Sequence, residues 1–233
     1  MLWLLHGNLG SPADWKPVMD ALRTKEMETR TLNLWKYLEC CPKSLEDMGR
    51  VLCSEIAAQD RHPWLCGYSL GGRLAMHAVL AHPPFWKGAV FVSANPGLEE
   101  EQERAVRRSE DVEWAVKCIS APWDEFLKEW DTQSVFSGEE GCDRSSLKPW
   151  RKSISRAFID WSVGAQQNLA PLLKQSPVPQ LWIAGAHDTK FSAIARHMGG
   201  EQAVIIPGAG HRVPREAPEN LAGHLQQFIL KNP

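Results

Sequence analysis

The sequence has 233 residues, of which 43% are hydrophobic and 23% are charged, and its formal net charge is -2 at pH 7. These proportions are ordinary for a soluble globular protein, and the nearly balanced charge excludes a globally basic protein that binds nucleic acid through its net field. No apolar run approaches the roughly 18 residues that cross a membrane, so we expect no membrane span.

The chain opens with an apolar segment, residues 1–5, that stops at His6-Gly7. It lacks the basic start and the cleavage site of a signal peptide, so we predict a buried strand there. The sequence contains no metal-ligand cluster, phosphate loop or dinucleotide fingerprint, and we expect no metal and no cofactor. The cysteines include no Cys-x-x-Cys pair, which is typical of reduced thiols in a cytoplasmic protein; they are Cys40, Cys41, Cys53, Cys66, Cys118 and Cys142.

The first third of the chain alternates short apolar strands with helical segments. Helices are predicted at residues 13–23 and 44–58, where Ser11 and Ser44 stand in capping positions, and another helix follows Ser69. Strands separated by helices predict a mostly parallel sheet with helices on both faces. The predicted strands are residues 1–5, 28–34, 63–66 and 88–93.

The pattern changes between residues 96 and 175, where charge-rich helical segments follow one another without a convincing strand. Strand patterns return at 179–184 and 203–206, and a last helix is predicted at 220–230. We therefore predict an α/β core formed by residues 1–95 and 176–233, interrupted by a helical cap over residues 96–175. The predicted cap helices are 99–109, 112–119, 123–130 and 147–163. Five of the eleven tryptophans lie in this middle third, where they either line a surface or pack a small helical layer.

The most informative motif is Gly67-Tyr68-Ser69-Leu70-Gly71-Gly72, which lies between a predicted strand and a predicted helix. Its G-x-S-x-G spacing is typical of a nucleophile elbow, a sharp turn that exposes the serine hydroxyl. Glycines are needed because a Cβ at Gly67 or Gly71 would collide with neighbouring backbone. The alternative is a glycine-rich turn with an incidental serine.

A serine hydroxyl needs an adjacent base, and that base needs an acid that orients it. Asp188 and His211 follow the last two predicted strands, in the Ser, acid, His order of this arrangement. Both would lie at the carboxyl ends of strands, where open α/β sheets place their sites. The alternatives are a capping aspartate and a surface histidine. An oxyanion hole would combine the N–H group of Leu70 with one from the loop His6-Gly7-Asn8.

Several segments of the sequence, including those already described, are similar to those of a known family. On the basis of these segments, the whole chain resembles the α/β-hydrolase-fold enzymes. The resemblance is strongest to the MenH family, the 2-succinyl-6-hydroxy-2,4-cyclohexadiene-1-carboxylate synthases of menaquinone synthesis. The resemblance implies an α/β-hydrolase fold with a helical cap. This chain departs from the family in its N-terminal strands, which we expect to be absent or greatly shortened. The segments are Leu5-His6-Gly7 with Trp15, Gly67 to Arg73, Asn95-Pro96-Gly97-Leu98 with Gln102 to Ala105 and Arg107, Trp130 with Val135-Phe136, Asp188 to Phe191, and Gly208 to His211.

The resemblance implies a lyase that eliminates pyruvate from a multiply anionic cyclohexene precursor. Ser69 would abstract a proton, made basic by His211, which Asp188 holds. The developing oxyanion would lie against the N–H groups of Asn8 and Leu70. Arginines would receive the substrate's carboxylates, because a guanidinium binds a carboxylate through two hydrogen bonds. The implied substrate-binding residues are Tyr68, Arg73, Arg107, Trp130 and Arg156, although each arginine is alternatively a solvated helix charge.

Two other functions stay open at this stage. An esterase or other acyl hydrolase acting on a small carboxylated ester would use the same Ser-His-Asp set, with Ser69 as a covalent nucleophile. A binding protein of the same fold would have no chemical use for the complete set. Departures from the family pattern bear on the substrate, since Asn33 to Tyr37 replaces the Asp-x-Pro-Gly-His-Gly loop, Asn8 replaces a large apolar residue and Asn95 replaces a histidine. The partner we expect is a small anionic molecule, and the oligomeric state is left open.

Overall fold

The computed structural model describes residues 1–41, 43–136, 141 and 143–232. At its centre lies a six-stranded sheet with the order β2-β1-β3-β4-β5-β6, in which every pair of neighbouring strands is parallel. Each strand overlaps a predicted one, which confirms the predicted parallel sheet. The strands are β1 (Leu2–Leu5), β2 (Thr29–Leu32), β3 (Trp64–Tyr68), β4 (Gly88–Val92), β5 (Gln180–Gly185) and β6 (Val204–Ile206).

Helices connect the strands and cover the sheet. Ser11 and Ser44 cap helical segments as predicted, since their side chains accept hydrogen bonds from the N–H groups of Ala13 and Asp47. The α-helices of the described residues are α1 (Lys16–Arg23), α2 (Leu45–Ala57), α3 (Leu70–Ala81), α4 (Glu101–Ser120), α5 (Trp123–Asp131), α6 (Arg151–Asp160), α7 (Ala170–Gln175), α8 (Thr189–Gly199), α9 (Val213–Glu216) and α10 (Pro218–Lys231).

Apolar side chains fill both faces of the sheet. In β1, Trp3 and Leu5 belong to one hydrophobic layer and Leu2 and Leu4 to the other, because successive side chains of a strand point to opposite faces. All five residues of β4 are buried. Burial on both sides explains why these strands appear in the sequence as short uninterrupted apolar runs.

The order of the strands creates a crevice at one edge of the sheet. The chain passes from β1 to β2 on one side of β1 and then returns to β3 on the other side. At such a switch point the loops after the two adjacent strands run in opposite directions and leave a cleft between them. Residues 6–9 follow β1 and Ser69 follows β3, so the two predicted halves of the oxyanion hole flank this cleft.

Several helix predictions differ from the structure. The predicted helices 99–109 and 112–119 form one continuous helix, α4, and the helices α7, α8 and α9 were not predicted. Between β4 and β5, the part of the chain that the structure describes contains helices and no strand. The division into a core and a cap stays a prediction.

The tryptophans of this helical region mainly pack its interior. Trp123, Trp130 and Trp161 are buried, whereas Trp114 and Trp150 are half-buried and pack against the core. The packing alternative is therefore the better description of this group, although Trp130 also lines a cavity.

None of the described helices is long and apolar enough to cross a membrane. The five cysteines at described positions are free of disulfide bonds, whereas Cys142 lies outside the described residues. Among the same described residues, no group of three or more His, Cys, Asp or Glu side chains could hold a metal ion.

Candidate active site

Ser69 occupies a strained turn between β3 and α3. Its backbone has φ 51° and ψ -113°, a left-handed conformation that a residue with a side chain rarely adopts. The turn is tight because α3 is pressed against β1 and β3. A Cβ at Gly67 would lie 2.3 Å from the carbonyl oxygen of Gly71, and one at Gly71 would lie 2.3 Å from that of Leu5. These contacts confirm the predicted reason for both glycines.

The tight packing of the turn predicts a large cost for one added methyl group. We expect Gly67→Ala to lower the free energy of unfolding by about 1–3 kcal/mol, because backbone must move to accept the Cβ. Gly223→Ala is the matched control, since its Cβ would meet nothing within 4 Å in α10. Urea unfolding of the two variants measures the difference, and equal midpoints would contradict this description of the turn.

Ser69, His211 and Asp188 form a hydrogen-bonded relay across three loops. The Ser69 Oγ atom lies 3.2 Å from His211 Nε2, and His211 Nδ1 lies 2.6 Å from Asp188 Oδ2. Since a carboxylate only accepts, Nδ1–H donates to Asp188 and Nε2 accepts from the serine hydroxyl. Asp188 and His211 are buried. The structure therefore brings together the three side chains that the sequence selected.

A second hydrogen bond fixes the orientation of the Asp188 carboxylate. Its Oδ1 atom accepts a hydrogen bond of 3.1 Å from the N–H group of Phe191 and caps the N-terminus of α8. The other carboxylate oxygen is thereby turned towards His211. The Asp188 carboxylate therefore caps α8 through one oxygen and accepts from His211 through the other.

Aromatic rings enclose the imidazole of His211. The ring centres of Phe191, Tyr68 and Phe136 lie 4.6 Å, 5.5 Å and 5.7 Å from that of His211. The N–H group of the preceding residue, Gly210, donates to the carboxylate of Glu216 in α9. These contacts fix the position of the histidine, and the packing of the phenylalanine rings on it was not predicted.

The predicted oxyanion-hole residues flank Ser69. Asn8 and Leu70 both line the cavity that contains the serine. Leu70 is the first residue of α3, where the N–H groups have no partner within the helix. Gly7 permits the close approach of its loop, because a Cβ there would lie 2.7 Å from the Tyr68 ring.

His6 anchors the loop that contains Gly7 and Asn8 from inside the protein. It is fully buried, and its Nε2 atom accepts a hydrogen bond of 3.0 Å from the N–H group of Leu34. Its Nδ1 atom therefore carries the proton and donates to the Gly7 carbonyl oxygen at 2.9 Å. Burial lowers the pKa of His6 to about 4, so the imidazole is neutral at pH 7. The sequence pattern did not reveal this role.

His77 is a second buried histidine, and burial lowers its pKa to about 4 as well. Both folded-state values lie below the ordinary 6.5, so the unfolded chain binds more protons between pH 6.5 and 4. We expect the free energy of unfolding to fall as the pH drops through this range, by up to about 1.4 kcal/mol per pH unit for each histidine.

His6→Gln should reduce this slope of unfolding free energy against pH by the contribution of one histidine. The control is His82→Gln, which replaces an exposed histidine. Denaturant titrations at several pH values measure the slope, and an unaltered slope in His6→Gln would contradict the burial of a neutral imidazole.

Three cationic side chains line a cavity of about 800 Å³ beside Ser69. Arg73 comes from α3, Arg107 from α4 and Lys190 from α8. Two exposed carboxylates, Glu103 and Glu110, also line it. Trp130 lies in the same wall, as the family position implied.

Arg73 is held rigidly beside the cavity by two neighbouring groups. Its guanidinium donates to the carbonyl oxygen of Trp161 at 2.6 Å and lies 3.5 Å from the Gln166 side-chain oxygen. Burial, together with the nearby charge of Arg107, lowers the pKa of Arg73 to about 9, so it is still a cation at neutral pH. A half-buried guanidinium without a carboxylate partner in the described residues is unlike the solvated helix charge that was the alternative.

Arg107 is paired with a buried carboxylate. Its guanidinium lies 3.0 Å from Asp111, one turn further along α4, and Asp111 also accepts a hydrogen bond of 2.6 Å from the Ser162 hydroxyl. The Arg107 side chain is only 37% exposed. Because Asp111 is bound to Ser162, this pair joins α4 to the segment that holds Arg73.

Two predicted substrate-binding residues lie elsewhere. Arg156 donates to the carbonyl oxygen of Leu38 at 2.8 Å and is not among the described residues that line the main cavity, so the structure gives no support to its predicted role as a substrate ligand. Tyr68 packs against His211 and lines a smaller neighbouring cavity of about 260 Å³ instead of the main one. His187 is exposed and also lines the main cavity.

Comparisons with known proteins agree with this arrangement. Residues 4–224 match the model of the Alpha/beta hydrolase family. The chain is 31% identical over 241 residues to the 2-succinyl-6-hydroxy-2,4-cyclohexadiene-1-carboxylate synthase of Serratia proteamaculans (strain 568), and the match covers 99% of this chain and 92% of that protein. Its fold is similar to that of MenH from S. aureus, with a TM-score of 0.86, 22% identity and coverage of 99% and 93% of the two chains. It is also similar to a thermophilic esterase from Thermogutta terrifontis, with a TM-score of 0.72, 18% identity and coverage of 99% and 89%.

Proposed function

This chain belongs to the alpha/beta hydrolase family and, within it, to the group of MenH synthases, and we propose that it is a carbon–oxygen lyase. In this proposal it eliminates pyruvate from a multiply anionic cyclohexene precursor in menaquinone synthesis. The observation that carries the proposal is the pair of guanidiniums, Arg73 and Arg107, in the cavity that contains Ser69. The names of the full-length relatives point to the same reaction.

The proposed reaction uses Ser69 as a base. The serine hydroxyl gives its proton to His211 Nε2 and takes a proton from a ring carbon of the substrate, so that the serine is restored. The electron pair of the broken C–H bond forms a new C=C bond, and the C–O bond to the pyruvyl group breaks. The leaving enolate takes the proton from His211 and becomes pyruvate. Asp188 stabilises the imidazolium that exists between the two transfers.

The oxyanion hole has a defined task in this reaction. Negative charge develops on the carbonyl oxygen beside the carbon that loses its proton. We propose that the N–H groups of Asn8 and Leu70 stabilise this oxygen, since donors that are fixed in advance need no reorganisation during the reaction. His6 supports the loop of Asn8 through the Gly7 carbonyl oxygen.

The cationic wall favours this lyase over an esterase that acts on uncharged esters. The Ser-His-Asp set suits both reactions, because either needs a serine whose proton is taken by an imidazole. An uncharged ester has no use for two guanidiniums beside the serine. A substrate with several carboxylates needs such groups, because arginine forms strong charge-assisted hydrogen bonds with carboxylates. The esterase of similar fold shares 18% identity with this chain and supports the fold alone.

A product assay decides between the two functions. With the pyruvate-bearing cyclohexene precursor, we expect the enzyme to release one pyruvate per substrate, measured by coupled oxidation of NADH by lactate dehydrogenase. With p-nitrophenyl acetate, we expect little turnover. Rapid ester hydrolysis without any pyruvate from the precursor would refute the lyase and favour a carboxylic ester hydrolase.

A further inference from the structure

Lys190 lines the main cavity from a different element than the two arginines. It lies in the first turn of α8, two residues after Asp188. Its ammonium nitrogen is 5.9 Å from the centre of the Phe191 ring, and that ring packs against His211 at 4.6 Å. Lys190 therefore lies next to the histidine side of the site, whereas Arg73 and Arg107 are tied to the segment around residues 161–166.

The three cations differ in how far their charges are already satisfied. Arg107 has a carboxylate partner in Asp111, and Arg73 is bound to a backbone carbonyl oxygen. Among the residues that the structure describes, Lys190 has no ion-pair partner. Its side chain is exposed and lines the cavity. An ammonium of this kind is free to rotate its three donors towards a ligand.

We propose that Lys190 is a specificity-determining residue that binds one carboxylate of the substrate, the one furthest from Arg73 and Arg107. This inference rests on the proposed function, in which the substrate carries three carboxylates. Arg156 does not supply the third cation, because its guanidinium is turned to Leu38. In this proposal Lys190 supplies it from α8, whereas the two arginines come from α3 and α4, and all three side chains line the cavity that contains Ser69.

The test compares Lys190→Met with the wild type on the precursor. We expect KM to rise about tenfold with kcat little changed, because the lost contact binds substrate and transition state alike. Lys190→Arg should restore most of the affinity. Arg196→Gln is the matched control, since it removes one positive charge from the exposed side of the same helix outside the cavity.

Three substrate analogues, each with a different carboxylate converted to its carboxamide, identify the group that Lys190 binds. The wild type should bind each analogue more weakly than the precursor. Lys190→Met should bind one of the three analogues as tightly as it binds the precursor. An unchanged KM in Lys190→Met, or an equal rise in Arg196→Gln, would overturn the role of Lys190. Sensitivity of Lys190→Met to all three carboxamides would also overturn it. The wild-type assay distinguishes a failure of the Lys190 role from a failure of the proposed function. If the wild type releases no pyruvate from the precursor, the proposed function itself is wrong.

Discussion

Ser69→Ala is expected to lower kcat for pyruvate release by about 10²- to 10⁴-fold, the range that one positioned general base contributes. The reason is that the Ser69 Oγ atom lies 3.2 Å from His211 Nε2, where the hydroxyl can give its proton to the imidazole. Alanine has the same backbone strain at φ 51° as serine, so the folded state should keep its stability. His211→Ala should cause a similar loss, and the double variant should be no worse than either single one, because the two side chains act as a unit.

Pyruvate release by the purified variants measures this effect, with urea unfolding as the check on folding. Ser120→Ala, which removes an exposed hydroxyl at the end of α4, is the matched control and should behave as the wild type. A Ser69→Ala variant with more than a tenth of the wild-type kcat would remove the serine from the reaction. Additive losses in the double variant would show that Ser69 and His211 act independently.

Arg73→Met is expected to lower kcat/KM for the precursor roughly 30- to 150-fold. This factor corresponds to a loss of about 2–3 kcal/mol of transition-state stabilisation. The guanidinium is half-buried and held by the Trp161 carbonyl oxygen, so a substrate carboxylate meets a rigid and partly desolvated cation. Such contacts contribute more than exposed ion pairs. Arg73→Lys should recover only part of the loss, since an ammonium lacks the planar pair of donors.

Arg107 needs a different variant from Arg73. Arg107→Ala would leave the buried carboxylate of Asp111 without its cation, which by itself destabilises the fold. The double variant Arg107→Ala/Asp111→Asn removes both charges and is the informative comparison. Steady-state kinetics with the precursor measures both sites. Wild-type kcat/KM in Arg73→Met and in this double variant would exclude a binding role for the arginine pair.

The sheet and the relay were predictable because their signals are local. Each strand is a short apolar run, and Ser69, Asp188 and His211 each follow a strand in the order that the fold requires. Parallel strands end at the same edge of a sheet, so residues far apart in sequence meet there. The position of three loops thus followed from the order of the elements alone.

The missed elements depend on contacts between distant segments. The pattern predicted a break in α4 near Asp111, but the helix continues through this residue, whose buried carboxylate is paired with Arg107 and accepts a hydrogen bond from the Ser162 hydroxyl. The start of α8 has an N-cap signal in Asp188, which was interpreted only as the acid of the relay.

Side-chain direction was harder to predict than backbone position. Arg156 is turned away from the cavity by the carbonyl oxygen of Leu38, which lies 118 positions earlier in the chain. Spacing along a helix gives the face on which an arginine lies, but a long side chain follows its tertiary partner. Lys190 had no predicted role, because only the structure shows that its side chain lines the cavity that contains Ser69.

The central claim is that Ser69 removes a proton and forms no covalent bond to the substrate. The most direct test is intact-protein mass spectrometry of samples quenched during turnover of the precursor, with pyruvate measured in the same samples. We predict that pyruvate accumulates while the protein keeps its unmodified mass. A covalent adduct on Ser69 that forms and decays at the rate of turnover would contradict the account.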